Sequence, residues 1–134
     1  MTTELTYLAW ALVLAVVQIL LADVARTRQY GLKWNTSARD ADVPPLKPVP
    51  ARLLRAQSNL FETLPLFAIA VLIAVVAQKD GSALTIWGSR LYVWGRVIYV
   101  PLYAFGVPTI RSLVWVVSLV GLLMVIAALF IPTA

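Results

Sequence analysis

The chain has 134 residues, of which 61% are hydrophobic and 13% charged, so it has one domain's length of sequence and a composition well outside that of soluble proteins. It contains no cysteine and no histidine, which excludes disulfides, Cys/His zinc sites and a cysteine nucleophile, and no metal site is expected. The net charge of +5 is gathered by loop and not along one soluble face, so nucleic acid is not an expected partner.

A helix needs about 20 mostly apolar residues to cross a bilayer, because the hydrocarbon core is roughly 30 Å thick and each residue rises about 1.5 Å. Four segments approach that length, and they predict an all-α membrane protein, a bundle of four transmembrane helices in a single domain spanning 1–134. The first helix is expected over about residues 5–22, with Gln18 its one amide. Glu4 ahead of it and Asp23 behind it do not suit a cleavable signal peptide, so the segment reads as a retained helix. The second is expected over about 52–77, with a polar approach through Asn59 and Glu62. The third, about 83–107, carries Arg90 and Arg96, and the fourth, about 112–131, has no charge at all.

Arg26, Arg28, Lys33, Arg39, Lys47, Arg52 and Arg55 fall between the first two apolar cores, and Arg111 falls between the last two. Cytoplasmic loops accumulate Lys and Arg, so the 23–51 loop is expected in the cytoplasm and both termini outside. Within that loop Pro44, Pro45, Pro48 and Pro50 prevent a continuous helix and favour a stiff, extended strap. A basic linker lying along the headgroups and a loop that helps cap a site are both open readings of it.

Arg52, Arg55, Asn59 and Glu62 follow steps of three, four and three, which keeps them on one face of the second helix. Arg96, Tyr99 and Tyr103 form a matching stripe on the third. Both stripes are expected to face protein, because a charge facing lipid costs at least a few kcal/mol. Counting inward from Arg52 and Gly106 puts Glu62 and Arg96 at one level, about ten residues or 15 Å deep, and suggests a close pair. Asn59 falls level with Tyr99, and Arg55 with Tyr103. The layer can be read as polar glue between helices or as a ligand site, and the tyrosines equally as interfacial anchors. Pro65 and Pro101 kink their helices or free carbonyls beside this layer, and Arg90 reads as a snorkelling residue.

The run Arg52-Leu-Leu-Arg55-Ala-Gln-Ser-Asn59-Leu-Phe-Glu62-Thr-Leu-Pro65-Leu-Phe67 resembles the signature of the MAPEG family, the membrane-associated proteins of eicosanoid and glutathione metabolism. Arg96-x-x-Tyr99-x-x-x-Tyr103 followed by Pro108-Thr-Ile-Arg111-Ser112 is similar to that family's third helix and following loop. With the hydropathy, the resemblance covers nearly the whole chain. It implies a homotrimer that binds glutathione between subunits near the cytoplasmic face, with Arg55, Asn59, Glu62, Arg96, Tyr99 and Tyr103 as the binding residues. Arg111 resembles the catalytic arginine that stabilises the glutathione thiolate, although a positive-inside residue at a helix start is the other reading of it. Thr63 stands where the leukotriene C4 synthase type has tyrosine. The spacing to Arg111 is one residue off that type and closer to the prostaglandin E synthase type. Gly31-Leu-Lys-Trp34 and Arg39-Asp40 look most like a bacterial branch, which implies a bacterial inner membrane.

The expected function is a membrane-embedded glutathione transferase, with peroxidase activity as a second chemistry, that conjugates glutathione as co-substrate to lipophilic electrophiles arriving through membrane lipids. The alternative is a non-catalytic lipid-binding or scaffolding protein of the same fold. A small transporter is a weaker reading, because no inverted repeat is evident.

Overall fold

The computed structural model describes residues 1–132, and among these it contains five helices. They are α1 (Thr3–Tyr30), α2 (Leu32–Thr36), α3 (Pro48–Val76), α4 (Ala83–Ala104) and α5 (Pro108–Phe130). Three of them, α1, α3 and α5, are long and apolar enough to cross a membrane. The 22 residues of α4 would reach about 33 Å, but it carries Arg90 and Arg96 and is the least apolar of the four long helices by that measure.

The helix ends follow from local chemistry. Thr2 caps α1 by accepting the Leu5 N–H at 3.3 Å, and Ser82 caps α4 by accepting the Thr85 N–H at 3.2 Å. Proline opens α3 and α5 at Pro48 and Pro108, where a missing N–H leaves no bond unmade. α1 stops at Gly31 and α4 at the turn through Gly106, whose positive φ values of 95° and 73° suit glycine alone among residues without strain.

Both α1 and α3 extend past the expected limits into the first connection, so the strap shrinks to residues 37–47 with α2 at its start. Helical structure ends at Thr36, ahead of all four prolines; Pro44 and Pro45 lie in the strap as expected, whereas Pro48 and Pro50 fall in the first turn of α3. The N-terminal half of the loop has no proline and continues α1 in a short helical turn. Gln29 staples the strap, donating from Nε2 to the Pro45 carbonyl at 2.9 Å and accepting the Lys47 N–H at 2.8 Å. Tyr30 donates to the Pro44 carbonyl at 2.6 Å. Trp34 lies against Tyr30 with Arg26 and Arg39 over its ring, at 5.5 and 4.8 Å from the ring centre.

In the half of the bundle away from the strap, Leu8, Phe67, Val71, Tyr92, Leu122 and Val125 form the apolar core, with Phe67 stacked on Tyr92 at 4.2 Å. α4 and α5 approach closest, at Gly88 and Gly121: a Cβ on either would fall 2.6 Å from the other's carbonyl oxygen. Close backbone approach through small residues is how membrane helices gain packing when lipid offers as apolar a surface as protein does. At that end Glu4 Oε1 accepts the Gly81 N–H and the Thr85 hydroxyl, both at 2.6 Å, and Lys79 donates to the Leu129 and Ile131 carbonyls at 2.7 and 2.9 Å. The polar stripes from Arg52 to Glu62 on α3 and from Arg96 to Tyr103 on α4 lie toward the opposite half.

Candidate functional site

The antiparallel packing of α3 against α4 brings two polar ladders together. Arg55 Nε donates to the Tyr103 hydroxyl at 3.0 Å, as expected from their common depth. One turn deeper the match differs from the expectation. Arg96 Nη1 donates to Asn59 Oδ1 at 2.7 Å, and Thr63 shares a hydrogen bond of 2.8 Å with Tyr92. Arg96 therefore pairs with Asn59 and not, within one chain, with Glu62, whose side chain lies on an exposed part of α3. Counting depth from the helix ends thus holds for Arg55 and Tyr103 but is about one turn off deeper in, where Asn59 and Thr63 lie opposite Arg96 and Tyr92.

Arg96 and Tyr99 are almost wholly buried, at 1% and 2% exposure, with the guanidinium 4.5 Å over the tyrosine ring. Tyr99 meets Tyr103 edge-on at 5.4 Å. Tyr103 in turn lies beneath Arg111 at 4.6 Å and Arg55 at 5.7 Å. Each such contact is worth about 0.5–1 kcal/mol where exposed and about 2 kcal/mol when desolvated, so the run from Arg96 to Arg111 is a packed column of cations and aromatic faces.

Two residues outside the expected set complete it. Trp115 donates from Nε1 to the same Asn59 oxygen at 2.9 Å. Arg52 lies over Gly106, where an added Cβ would stand 2.9 Å from its guanidinium carbon. The signal for Trp115 is its place four residues after Arg111, one helical turn along the same face. Arg52 stood on the recognised stripe, but nothing in its spacing distinguished it from a headgroup contact.

Two adjoining cavities open on this column. One, of about 200 Å³, is bordered by Arg52, Arg55, Tyr103, Gly106, Pro108 and Arg111. The other, of about 170 Å³, is bordered by Asn59, Tyr99, Arg111, Ser112 and Trp115. Arg111 borders both. Of the expected residues, Arg55, Asn59, Arg96, Tyr99, Tyr103 and Arg111 are thus brought together in one chain, and Glu62 is not among them.

The single ion pair among the described residues joins Arg26 to Asp23 at 3.0 Å, so Arg52, Arg55, Arg96 and Arg111 have no carboxylate partner. Nε and Nη2 of buried Arg96 have no hydrogen-bond partner at all. Three of these guanidiniums, of Arg52, Arg55 and Arg111, border the cavities, a lining whose charge suits an anionic group, while Arg96 is buried behind them. No group of three or more acidic side chains among the described residues could hold a metal ion.

A sequence model of the MAPEG family matches residues 7–131, which takes in every residue of this site. The chain belongs to the MAPEG family. Together with the three apolar helices, that membership makes it an integral membrane protein. No curated protein and no solved structure matches the chain significantly. The MAPEG signature on α3 and the column on α4 and α5 are therefore the parts of this chain through which family membership bears on chemistry.

Proposed function

We propose that this MAPEG protein is a membrane glutathione transferase that joins glutathione to lipophilic electrophiles. The observation that carries the reading is the set of three guanidiniums, Arg52, Arg55 and Arg111, that border two neighbouring polar cavities without an ion-pair partner. Glutathione has two carboxylates and a backbone rich in donors and acceptors. Arg52 and Arg55 at the outer cavity suit a carboxylate, and Asn59 offers its amide to the inner one. When bound, glutathione supplies a thiolate that displaces a leaving group such as chloride from an electrophilic carbon, the thiol proton passing to solvent. Arg111, bordering both cavities, holds the thiolate form by its positive charge, since an ordinary thiol of pKa about 8.5 is largely protonated at neutral pH.

The functional unit in this proposal is a homotrimer of four-span subunits in a bacterial inner membrane, with both termini outside. Glu62 supports the assembly. A carboxylate on an exposed α3 face beside Leu66 and Ile69 would meet lipid in a lone subunit, and a second copy relieves that cost.

Purified protein titrated with glutathione and then supplied with an aryl halide tests the reading. Saturable binding with turnover supports the transferase. Binding without turnover leaves the scaffolding function, and no binding removes glutathione from the account.

A further inference from the structure

A second groove lies between α1 and α3, apart from the arginine column, and its polarity changes along its length. Leu21 and Val24 of α1 and Val49 and Leu53 of α3 line its deeper part, and Arg28 and Lys47 stand at its mouth, around a space of about 380 Å³. Along α1, Arg28 is seven residues beyond Leu21, about 10 Å by helical rise, and along α3 Lys47 precedes Leu53 by a similar span. Both walls thus turn from apolar to cationic in the same direction, the direction in which the helices leave the bilayer toward the strap.

The backbone segments that carry the two cations are tied together. Gln29, next to Arg28, accepts the Lys47 backbone N–H at 2.8 Å and donates to the Pro45 carbonyl at 2.9 Å, which fixes the start of α3 against the end of α1. Arg28 and Lys47 are exposed and neither makes an ion pair among the described residues. Lys47 is the N-cap residue of α3 and gives it no side-chain cap, so the positive end of that helix's dipole lies beside it. Leu21, Val24 and Val49 are 44, 52 and 48% exposed, so the apolar floor is open to an occupant.

We infer that this groove binds one anionic phospholipid, its phosphate between Arg28 and Lys47 and an acyl chain along Leu21, Val24, Val49 and Leu53. A zwitterionic lipid matches the floor but not the mouth, and a free phosphate the mouth but not the floor. The volume falls in the range of about 300–1,000 Å³ of pockets for small amphiphilic molecules. None of these residues borders the two arginine cavities, so the inference is independent of glutathione binding and goes beyond the proposed activity.

Native mass spectrometry of the full chain, delipidated in neutral detergent and supplied with phosphatidylglycerol or phosphatidylcholine, tests it. Wild type should retain one phosphatidylglycerol per chain in preference to phosphatidylcholine. Arg28→Gln with Lys47→Gln should weaken retention about tenfold or more, as expected when two cations beside an anionic headgroup are neutralised. Lys33→Gln, which removes an exposed cation outside the groove, should retain lipid as wild type does. Gln29→Leu should weaken retention although it removes no charge, a result that diffuse attraction to the surface does not give. Inorganic phosphate at equal concentration should not displace the lipid. Equal retention of both lipids, or a double variant that behaves as wild type, would overturn the proposal. So would a loss on Lys33→Gln as large as that of the double variant. Lipid-independent burial by a second copy would show as unchanged retention with a fall in oligomer mass on the double substitution. Unaltered glutathione binding by the double variant separates a failure here from a failure of the transferase reading.

Discussion

Asn59 receives two donors on one oxygen, Arg96 Nη1 at 2.7 Å and Trp115 Nε1 at 2.9 Å, and since neither could be served by an amide nitrogen the amide orientation is fixed. Asn59 also borders the inner cavity. Trp115→Phe keeps the ring and removes one donor, and a neutral hydrogen bond is worth about 0.5–1.5 kcal/mol, so glutathione affinity measured by calorimetry should fall roughly 2- to 12-fold. An affinity unchanged by the substitution would make Trp115 packing alone. Arg111 is tested differently, because its proposed role is on the thiol. Arg111→Ala should keep measurable glutathione affinity while the thiolate ultraviolet absorbance and most of the turnover disappear. Thiolate signal and rate near wild type would instead make Arg111 a topology residue at the start of α5. The residue types of this site were readable from the sequence because steps of three and four put Arg55, Asn59, Arg96, Tyr99 and Tyr103 on two faces. Which atom meets which was not, since a one-turn change of register between α3 and α4 exchanges Asn59 for Glu62 opposite Arg96 and leaves each helix's own pattern intact.

The helices differ in what their sequences disclose. α5 and α1 were legible as apolar runs, whereas the extension of α1 to Tyr30 and the turn of α2 were hidden by polar residues that hydropathy assigns to a loop. Side-chain bonds between α1 and α2, such as Asn35 Nδ2 to Thr27 Oγ1 at 2.6 Å, hold the turn in place, and no periodicity reveals them. The α4–α5 hairpin rests on shape. Gly88 faces Gly121, and Gly95 faces Ser118, whose Cβ would stand 2.8 Å from a Cβ placed on Gly95. Gly121→Val should therefore force the two helices apart. Overpacking of this kind costs typically about 1–3 kcal/mol, and because the contact is backbone to backbone, no rotamer change relieves it. A fall in the thermal unfolding midpoint of several degrees, together with weaker glutathione binding as Arg111 and Trp115 move away from α3, is the expected result. An unchanged midpoint would show that the hairpin tolerates a wider separation. Ser118 adds a directional element, donating to the Tyr92 carbonyl at 3.0 Å from a buried position.

At the scale of the whole molecule, the two ends of the bundle have different chemistry, and the proposed orientation and assembly are tested against that asymmetry. The end with the strap gathers Arg26, Arg28, Arg39, Lys47, Arg52, Arg55 and Arg111, while the other is closed by Glu4 and Lys79 bonded to backbone and hydroxyl groups. Cysteines introduced singly at Ser37 in the strap and at Thr133, which lies outside the described residues, should respond oppositely to an impermeant thiol reagent on intact cells. Identical responses would refute both termini lying outside. Assembly is tested at Glu62, which was expected to pair with Arg96 in one subunit or across an interface. The first arrangement is not formed, because Asn59 occupies that face of Arg96. What stays open on Arg96 is Nε and Nη2, both buried and without a partner, and what stays open on Glu62 is a carboxylate on an exposed face. These two unpaired groups motivate a test for a contact between neighbouring copies of the proposed trimer. In detergent that preserves the oligomer, Glu62→Gln alone should destabilise, since removing one member of a buried pair costs about 3–5 kcal/mol through the charge left behind. Arg96→Gln made in addition should cost less than the sum of the two single changes, with a coupling energy above about 0.5 kcal/mol in the double-mutant cycle. The same cycle repeated on dissociated subunits should show none. Additive effects in the assembled protein would leave Glu62 outside any pair with Arg96 and remove this support for the trimer.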